Sequence, residues 1–314
     1  MIRKTIIGAT GMVILCMLAC GNTIYKQQNT RNNPIVKQEQ KKGFQLPEVP
    51  IMLNTPEQRA VYVAEHYWDH FDFADTAYIH LPDITEQAIV NFMDLMGHVP
   101  SEVESLALRT LYQKTAPHSP MLWYFWETMS RYWHDPNSPM KNEEKFIKMC
   151  KSIESLKQVE EIFLQRVLYA RTLAEKNRIG INATDFVYTL ASGKQGKLYD
   201  LRAEYILIFF YNPDCHTCTD IKRAMKNSRR LKDMVKSRRI MVLTVYPDEN
   251  VELWREHLSD MANEWVNAYD KGQVITHEML YDLSSIPSFY LLDKNKKVLL
   301  KDADWRQVLH FFEK

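Results

Sequence analysis

The chain has 314 residues, 46% of them hydrophobic and 25% charged, with 40 Lys and Arg against 39 Asp and Glu. This is the composition of a globular protein long enough for two domains of ordinary size, and it excludes a polycationic nucleic-acid binder and a solvated disordered chain. Five cysteines are too few for a disulfide framework over such a length, so each is read by its surroundings.

Arg3 and Lys4 precede an apolar stretch over residues 5–19 that closes on Met17-Leu18-Ala19-Cys20-Gly21. The charged start, an apolar run short of the roughly 20 residues that span a bilayer, and a small residue before the cut predict a cleaved export signal over residues 1–19. The segment resembles a bacterial lipoprotein signal, in which the cysteine after the cut is lipidated; Met17 stands where Leu is more usual. That resemblance implies lipid on Cys20 and a place in the bacterial cell envelope, held to a membrane and facing the periplasm. Plain secretion and an uncleaved anchor are the alternatives. Cys16 would leave with the signal. Residues 20–45 continue as a polar stretch rich in Asn, Gln and Lys, a flexible tether with a reach on the order of 25 to 30 Å.

Residues 46–180 carry a helical pattern with almost no glycine and no strand alternation, which predicts an all-α domain of about six helices. Thr55-Pro56-Glu57-Gln58 is a helix start with Thr as N-cap, Pro at the first position and Gln at the capping-box position. Asp83-Ile84-Thr85-Glu86 repeats the cap logic. Further helices are predicted over 101–116, 119–133, 142–153 and 155–178, parted by Pro100, Pro117, Pro136 and Pro139. The crowded aromatics Trp123, Tyr124, Phe125, Trp126, Tyr132 and Trp133 read as core. Cys150 stands on an apolar helical face and reads as a core thiol. His66 and His70, four apart, could share a face and hold a metal, but they lack the internal Glu of a zincin and read as a structural or solvated pair; no metal site is expected.

From residue 181 strands alternate with helices. Strands are predicted over 186–190, 205–211, 240–246, 288–292 and 298–301, with an early hairpin at Gly193-Lys194-Gln195-Gly196-Lys197-Leu198. Cys218, Ile221, Met225, Ser228, Leu231 and Val235 form one helical stripe, and shorter helices fall over 251–261, 275–283 and 304–312. The strand at 205–211 runs into Cys215-His216-Thr217-Cys218. A C-x-x-C between a buried strand and a helix sets the first sulfur over the helix N-terminus, where unpaired N–H groups and the helix dipole stabilise a thiolate. The same spacing makes half a zinc site, yet no second pair of matching spacing exists; an inert pair is the other reading. The stretch over 222–239 holds nine Lys and Arg against one acid, Asp233, and is either a solvated face or a docking surface for an acidic partner.

In order, Asp185-Phe186, the hairpin, the strand before Cys215, Ile286-Pro287 before the next strand, and Leu291-Leu292-Asp293-Lys294-Asn295 resemble the thioredoxin superfamily. The match is closest to the TlpA/ResA-like thiol-disulfide oxidoreductases of bacterial envelopes. It implies a thioredoxin-like α/β domain over 181–314, a mixed sheet flanked by helices, preceded by the all-α domain of 46–180. It also implies that Cys215 and Cys218 are the redox-active pair, with no other cofactor, and that the Pro287 bond is cis against the dithiol. Ile286 would then present its backbone to an extended substrate. This chain departs from the family at Asp214, where Trp is common, at Thr217, where Pro is common, and at Phe209, where many thioredoxins carry a buried acid. Asp214 should disfavour a neighbouring thiolate by like charge, and a protonated His216 should favour it. A peroxiredoxin is a poorer match, because neither cysteine stands in a P-x-x-x-[ST]-x-x-C arrangement. The helical half resembles an uncharacterised domain found ahead of thioredoxin-like modules in envelope lipoproteins, which supplies no activity.

These readings converge on a lipid-anchored envelope oxidoreductase acting on protein thiols and disulfides with a redox partner, Cys215 attacking and Cys218 resolving, in the reducing direction. The alternative from another class is a binding or scaffolding lipoprotein with an incidental dithiol.

Overall fold

A computed structural model describes residues 43–313 of the chain. The export signal, Cys20 and nearly all of the tether lie outside the described residues.

Six α-helices fill the first half: α1 (Pro56–His66), α2 (Pro82–Leu95), α3 (Ser101–Thr115), α4 (Ser119–Trp133), α5 (Glu143–Glu154) and α6 (Glu161–Glu175). Helix α1 opens on the expected capping box, with the Gln58 N–H donating to Thr55 Oγ1 at 3.2 Å and the Thr55 N–H donating back to Gln58 Oε1 at 3.4 Å. Helix α2 opens differently. Pro82 takes its first position and Leu81 offers no side-chain cap, so Asp83 is not the N-cap but an acid in the first turn, where the helix dipole still favours it. The helix expected over 155–178 begins only at Glu161. Packing is aromatic. The Trp68 ring meets Phe71, Phe92 and Phe125 edge-on at 5.5, 5.5 and 5.1 Å, and Trp123 and Trp126 close on Phe163 at 4.8 and 5.7 Å. Each such ring buries on the order of 150–250 Å², and together they make up much of the core of this half.

The second half is built on β1 (Val187–Leu190), β2 (Gln195–Lys197), β3 (Tyr205–Phe210), β4 (Ile240–Tyr246), β5 (Val266–Tyr269), β6 (Ser288–Asp293) and β7 (Val298–Ala303). They form one mixed sheet in the order β2-β1-β5-β4-β3-β6-β7. Strands β3, β4 and β5 run parallel; β6 returns antiparallel on the other side of β3. Central β3 is a continuous apolar run because both its faces are covered. Leu207 and Phe209 join one core, and Ile206, Ile208 and Phe210 join the opposite one.

Three local expectations needed correction. Strand β5 was not anticipated, since half-buried Asn267 interrupts its apolar pattern; its amide is satisfied by the Thr244 hydroxyl at 2.9 Å and the Ala262 carbonyl at 3.2 Å. The single stripe after Cys215 is two helices, α7 (His216–Asn227) and α8 (Arg229–Lys236). Ser228 ends one and caps the other, accepting the Leu231 N–H, a role its short hydroxyl performs better than a place in a helix interior. The helices expected over 251–261 and 275–283 shrink to α9 (Val251–Glu256), followed by a 3₁₀ turn, and α10 (Val274–His277); α11 (Trp305–Phe311) closes the described chain.

The joint between the halves is bonded throughout. Buried Asn177 donates to the Leu280 carbonyl at 2.7 Å and accepts the Thr184 N–H at 2.7 Å. Lys301 of β7 donates to the carbonyls of Ala174 and Lys176 at 2.8 and 2.7 Å, just where α6 ends. Its ammonium also pairs with Glu143 at the start of α5, at 2.6 Å.

Candidate active site

The β3 strand delivers the chain to Tyr211-Asn212-Pro213-Asp214, and α7 starts at once after Cys215. Asn212 shapes this turn. Its carbonyl accepts the Cys215 N–H at 3.1 Å, its Oδ1 accepts the Asp214 N–H at 2.9 Å, and its Nδ2 donates to Asp248 at 2.6 Å. An Asx turn followed by proline is a stiff connection, and it fixes where the helix begins.

Cys215 is the N-cap of α7, and its Sγ accepts the Cys218 N–H at 3.2 Å. One orphan donor of the helix start is thus spent on sulfur, an arrangement that is stronger for a thiolate than for a thiol. Cys215 is half-buried, while Cys218, on the first turn, is 1% exposed. Burial, with Cys215 as the next cause, pushes the Cys218 thiol up to about 12. The two sulfurs are therefore unequal: one meets solvent over a helix terminus, and the other is a neutral thiol set into the core.

Ile286–Pro287, which leads into β6 beside the end of β3, comes to the same place. Its peptide is cis, and the Ile286 carbonyl oxygen lies 4.0 Å from Cys215 Sγ. Asp214 is exposed, and the His216 side chain is 92% exposed and 3.4 Å from Asp220. Both charges work through water, so they weigh less on Cys215 than the backbone N–H that touches it.

Behind the dithiol stands Phe209, the ring expected there in place of a buried acid. It stacks on Phe289 at 4.6 Å and on Tyr211 at 5.4 Å, filling the site with rings. Lys222 follows Cys218 by one turn and is buried; its ammonium reaches Asp260 at 3.4 Å. His257 and Lys222 together hold the Asp260 carboxyl below the usual range. Sequence reasoning missed Asn212, Asp248, Lys222 and Asp260. The Asn-Pro dipeptide was a turn signal for the first, but the others depend on contacts between distant segments.

The remaining candidates lie elsewhere. Cys150 is fully buried in the helical core, and burial pushes its thiol up. His66 bonds Asp69 at 2.7 Å, and among the described residues no group of three metal-binding side chains converges. The basic stretch lines a cleft of about 1000 Å³ with Met225, Leu231 and Trp265 on its walls. This cleft opens where β3 and β4 begin, the end of the sheet opposite Cys215, so its size has no bearing on the dithiol.

Comparison with known proteins now adds a family. Residues 19–177 match the family described as Domain of unknown function (DUF5106). The crystal structure of a thioredoxin-like protein from Bacteroides caccae ATCC 43185 is 43% identical, with a TM-score of 0.73, covering 87% of this chain and 99% of that one. Thiol-disulfide oxidoreductase ResA of Bacillus thuringiensis (strain Al Hakam) is 27% identical over 125 residues, which are 40% of this chain and 69% of the relative. ResA of Geobacillus thermodenitrificans (strain NG80-2) is 26% identical over 143 residues, 42% of this chain and 74% of the relative. The chain belongs to the DUF5106 family, and its second half makes it a thioredoxin-like thiol-disulfide oxidoreductase of the ResA/TlpA kind.

Proposed function

We propose that this protein is an envelope-located reductant of protein disulfides, anchored by lipid on Cys20. The observation that carries the chemistry is Cys215 Sγ at the start of α7, accepting the Cys218 N–H at 3.2 Å and lying 4.0 Å from the Ile286 carbonyl. An extended substrate segment pairs with the backbone at Ile286 and Pro287, which brings its disulfide over Cys215. The Cys215 thiolate attacks one substrate sulfur, forming a mixed disulfide and releasing the other as a thiolate. Cys218, as thiolate, then attacks Cys215, freeing the second substrate thiolate and leaving the Cys215–Cys218 disulfide. The substrate gains two electrons and the pair loses two; a redox partner carrying a dithiol restores it.

The reducing direction is supported by the lack of a persistent cation on the residues flanking Cys215. A strong oxidant needs its reduced form heavily stabilised. Here the acid Asp214 adjoins Cys215, and exposed His216 is offset by Asp220. Equilibration with glutathione is the test. We expect a potential nearer the about −270 mV of thioredoxin than the about −120 mV of a dedicated oxidant, and a value above about −150 mV would overturn the reductant reading. An insulin-reduction assay separates this function from a scaffolding lipoprotein, for which dithiothreitol alone would give the same rate.

The anchor rests on Met17-Leu18-Ala19-Cys20 after a short apolar run. Mass spectrometry of the mature N-terminal peptide is expected to find cleavage before Cys20 and acyl chains on it. A retained Met1 or a bare Cys20 thiol would exclude it.

A further inference from the structure

The helical domain touches the redox domain at the loop that carries Ile286 and Pro287. The connection from α4 to α5 lies against this loop. His134, the residue that ends α4, stacks flat on Phe146 with ring centres 4.2 Å apart, and its Nε2 is 3.5 Å from Asp282 Oδ2. The other Asp282 oxygen accepts the Ser284 N–H at 3.0 Å. Lys141, at the far end of the same connection, sets its ammonium 3.6 Å from Asp302 Oδ2. Asp302 Oδ1 in turn accepts the Tyr290 hydroxyl and, at 3.5 Å, the Ser288 hydroxyl. Asp282 and Asp302 thus bracket the cis-proline segment, and their side chains are only 5% and 8% exposed.

The backbone is bent to make these contacts. Phe289 pairs with Ala303 and Leu291 with Leu300, so Lys301 and Asp302 together face Tyr290 alone. Such a bulge undoes the alternation of the strand and lets two successive side chains serve one neighbour; here both serve the helical domain. Asp302 has a φ of +45°, a left-handed conformation uncommon outside glycine, though Asp enters it more readily than most residues. Pro136 closes the seam against Ser285, Pro287 and Ser288, leaving a gap of about 10 Å³, at the lower limit for one water. Burial lowers the His134 ring's pKa, with Asp282 and Asp302 working against that fall.

We propose that the helical domain positions the substrate-binding loop: His134 and Lys141 hold Asp282 and Asp302, and through them the Ile286–Pro287 edge on which a protein disulfide docks. The proposal rests on the strand-addition reading above. Nearly buried carboxylates that lose their partners regain hydration only by moving outward, and the loop between them moves too. Neither carboxylate touches Cys215 or Cys218, so affinity for extended substrates should change while the chemistry of the dithiol does not.

The test compares two disulfides in the full chain. One is an oxidised peptide long enough to add as a strand, and the other is a small aromatic disulfide that needs no edge. Lys141→Met and His134→Phe, which keeps the stack on Phe146, are expected to raise KM for the peptide about tenfold. Their kcat, their rates on the small disulfide and their glutathione equilibrium should stay within about twofold of wild type, and Lys141→Arg should restore KM. An unchanged KM in either folded variant overturns the proposal. So do equal losses on both disulfides, or loss of the folded state in both variants, since the contacts would then act on the dithiol or on the domain as a whole. A wild-type chain inactive on both disulfides would instead remove the exchange reading itself, and this proposal with it.

Discussion

Cys215→Ser is expected to drop protein-disulfide exchange to the uncatalysed rate, and Cys218→Ser to stop it one step later, with substrate held on Cys215. The asymmetry follows from position. Cys215 caps α7 at the edge of solvent, whereas Cys218 is 1% exposed, so only the first can meet an incoming disulfide. Burial is the main reason the Cys218 thiol is pushed up to about 12, and its neighbour Cys215 is the next. Once Cys215 is bound in a mixed disulfide, its hydrogen bond and its charge no longer oppose ionisation of Cys218. Burial still does. The resolving step should therefore quicken with pH through the neutral range, its thiolate share growing about tenfold per unit below the pKa. Non-reducing gels of Cys218→Ser incubated with oxidised substrate should show the mixed disulfide, and Cys215→Ser should show none. The reverse pattern would refute the assignment. Cys150→Ser, in the helical core and out of reach of solvent, should leave exchange unchanged.

The setting of the C-x-x-C was legible because it is local. A buried strand, a C-x-x-C and a helix are contiguous, and contiguity is what a sequence displays directly. The apolar run of β3 and the crowded rings of α4 were legible for a similar reason, since burial on all sides leaves no polar positions to confuse the pattern. Strand β5 was not legible, because Asn267 is polar for a partner on β4 that lies more than twenty residues away. The break at Ser228 was hidden by periodicity that continues from α7 into α8. The larger gap concerned the joint between domains. Lys301 closes the strand predicted over 298–301 and Asp302 falls beyond it, and only the bulge opposite Tyr290 shows that both face the helical domain. Their partners Glu143 and Lys141 are more than a hundred residues distant, and no local rule connects them.

Lys301→Met should cost about 3–5 kcal/mol of stability at neutral pH, the range for removing one partner of a buried ion pair. The methionine keeps the apolar stem and deletes only the ammonium. The Lys301 side chain is 3% exposed, and that of Glu143 opposite it 16%, so screening by water subtracts little. Two losses combine. The carbonyls of Ala174 and Lys176 at the end of α6 lose the cation that satisfied them, and the carboxylate of Glu143 is left in the seam without a counter-charge. Burial already holds the Glu143 carboxyl above its ordinary pKa, with Lys301 working against that rise; without Lys301 it climbs further. A carboxyl raised in the folded state favours folding most below its unfolded pKa, and this contribution is lost as pH climbs through the folded value. The deficit of Lys301→Met should therefore be largest near pH 8 and shrink toward pH 5. Lys301→Met combined with Glu143→Gln, which removes the stranded charge, should recover part of the loss and flatten this pH dependence. Thermal melts of the full chain at the two pH values measure it, with a fall on the order of 10 °C at the higher one. A loss under about 1 kcal/mol, equal at both pH values, would place the pair with ordinary surface ion pairs and leave the joint to its other contacts, the Asn177 hydrogen bonds among them.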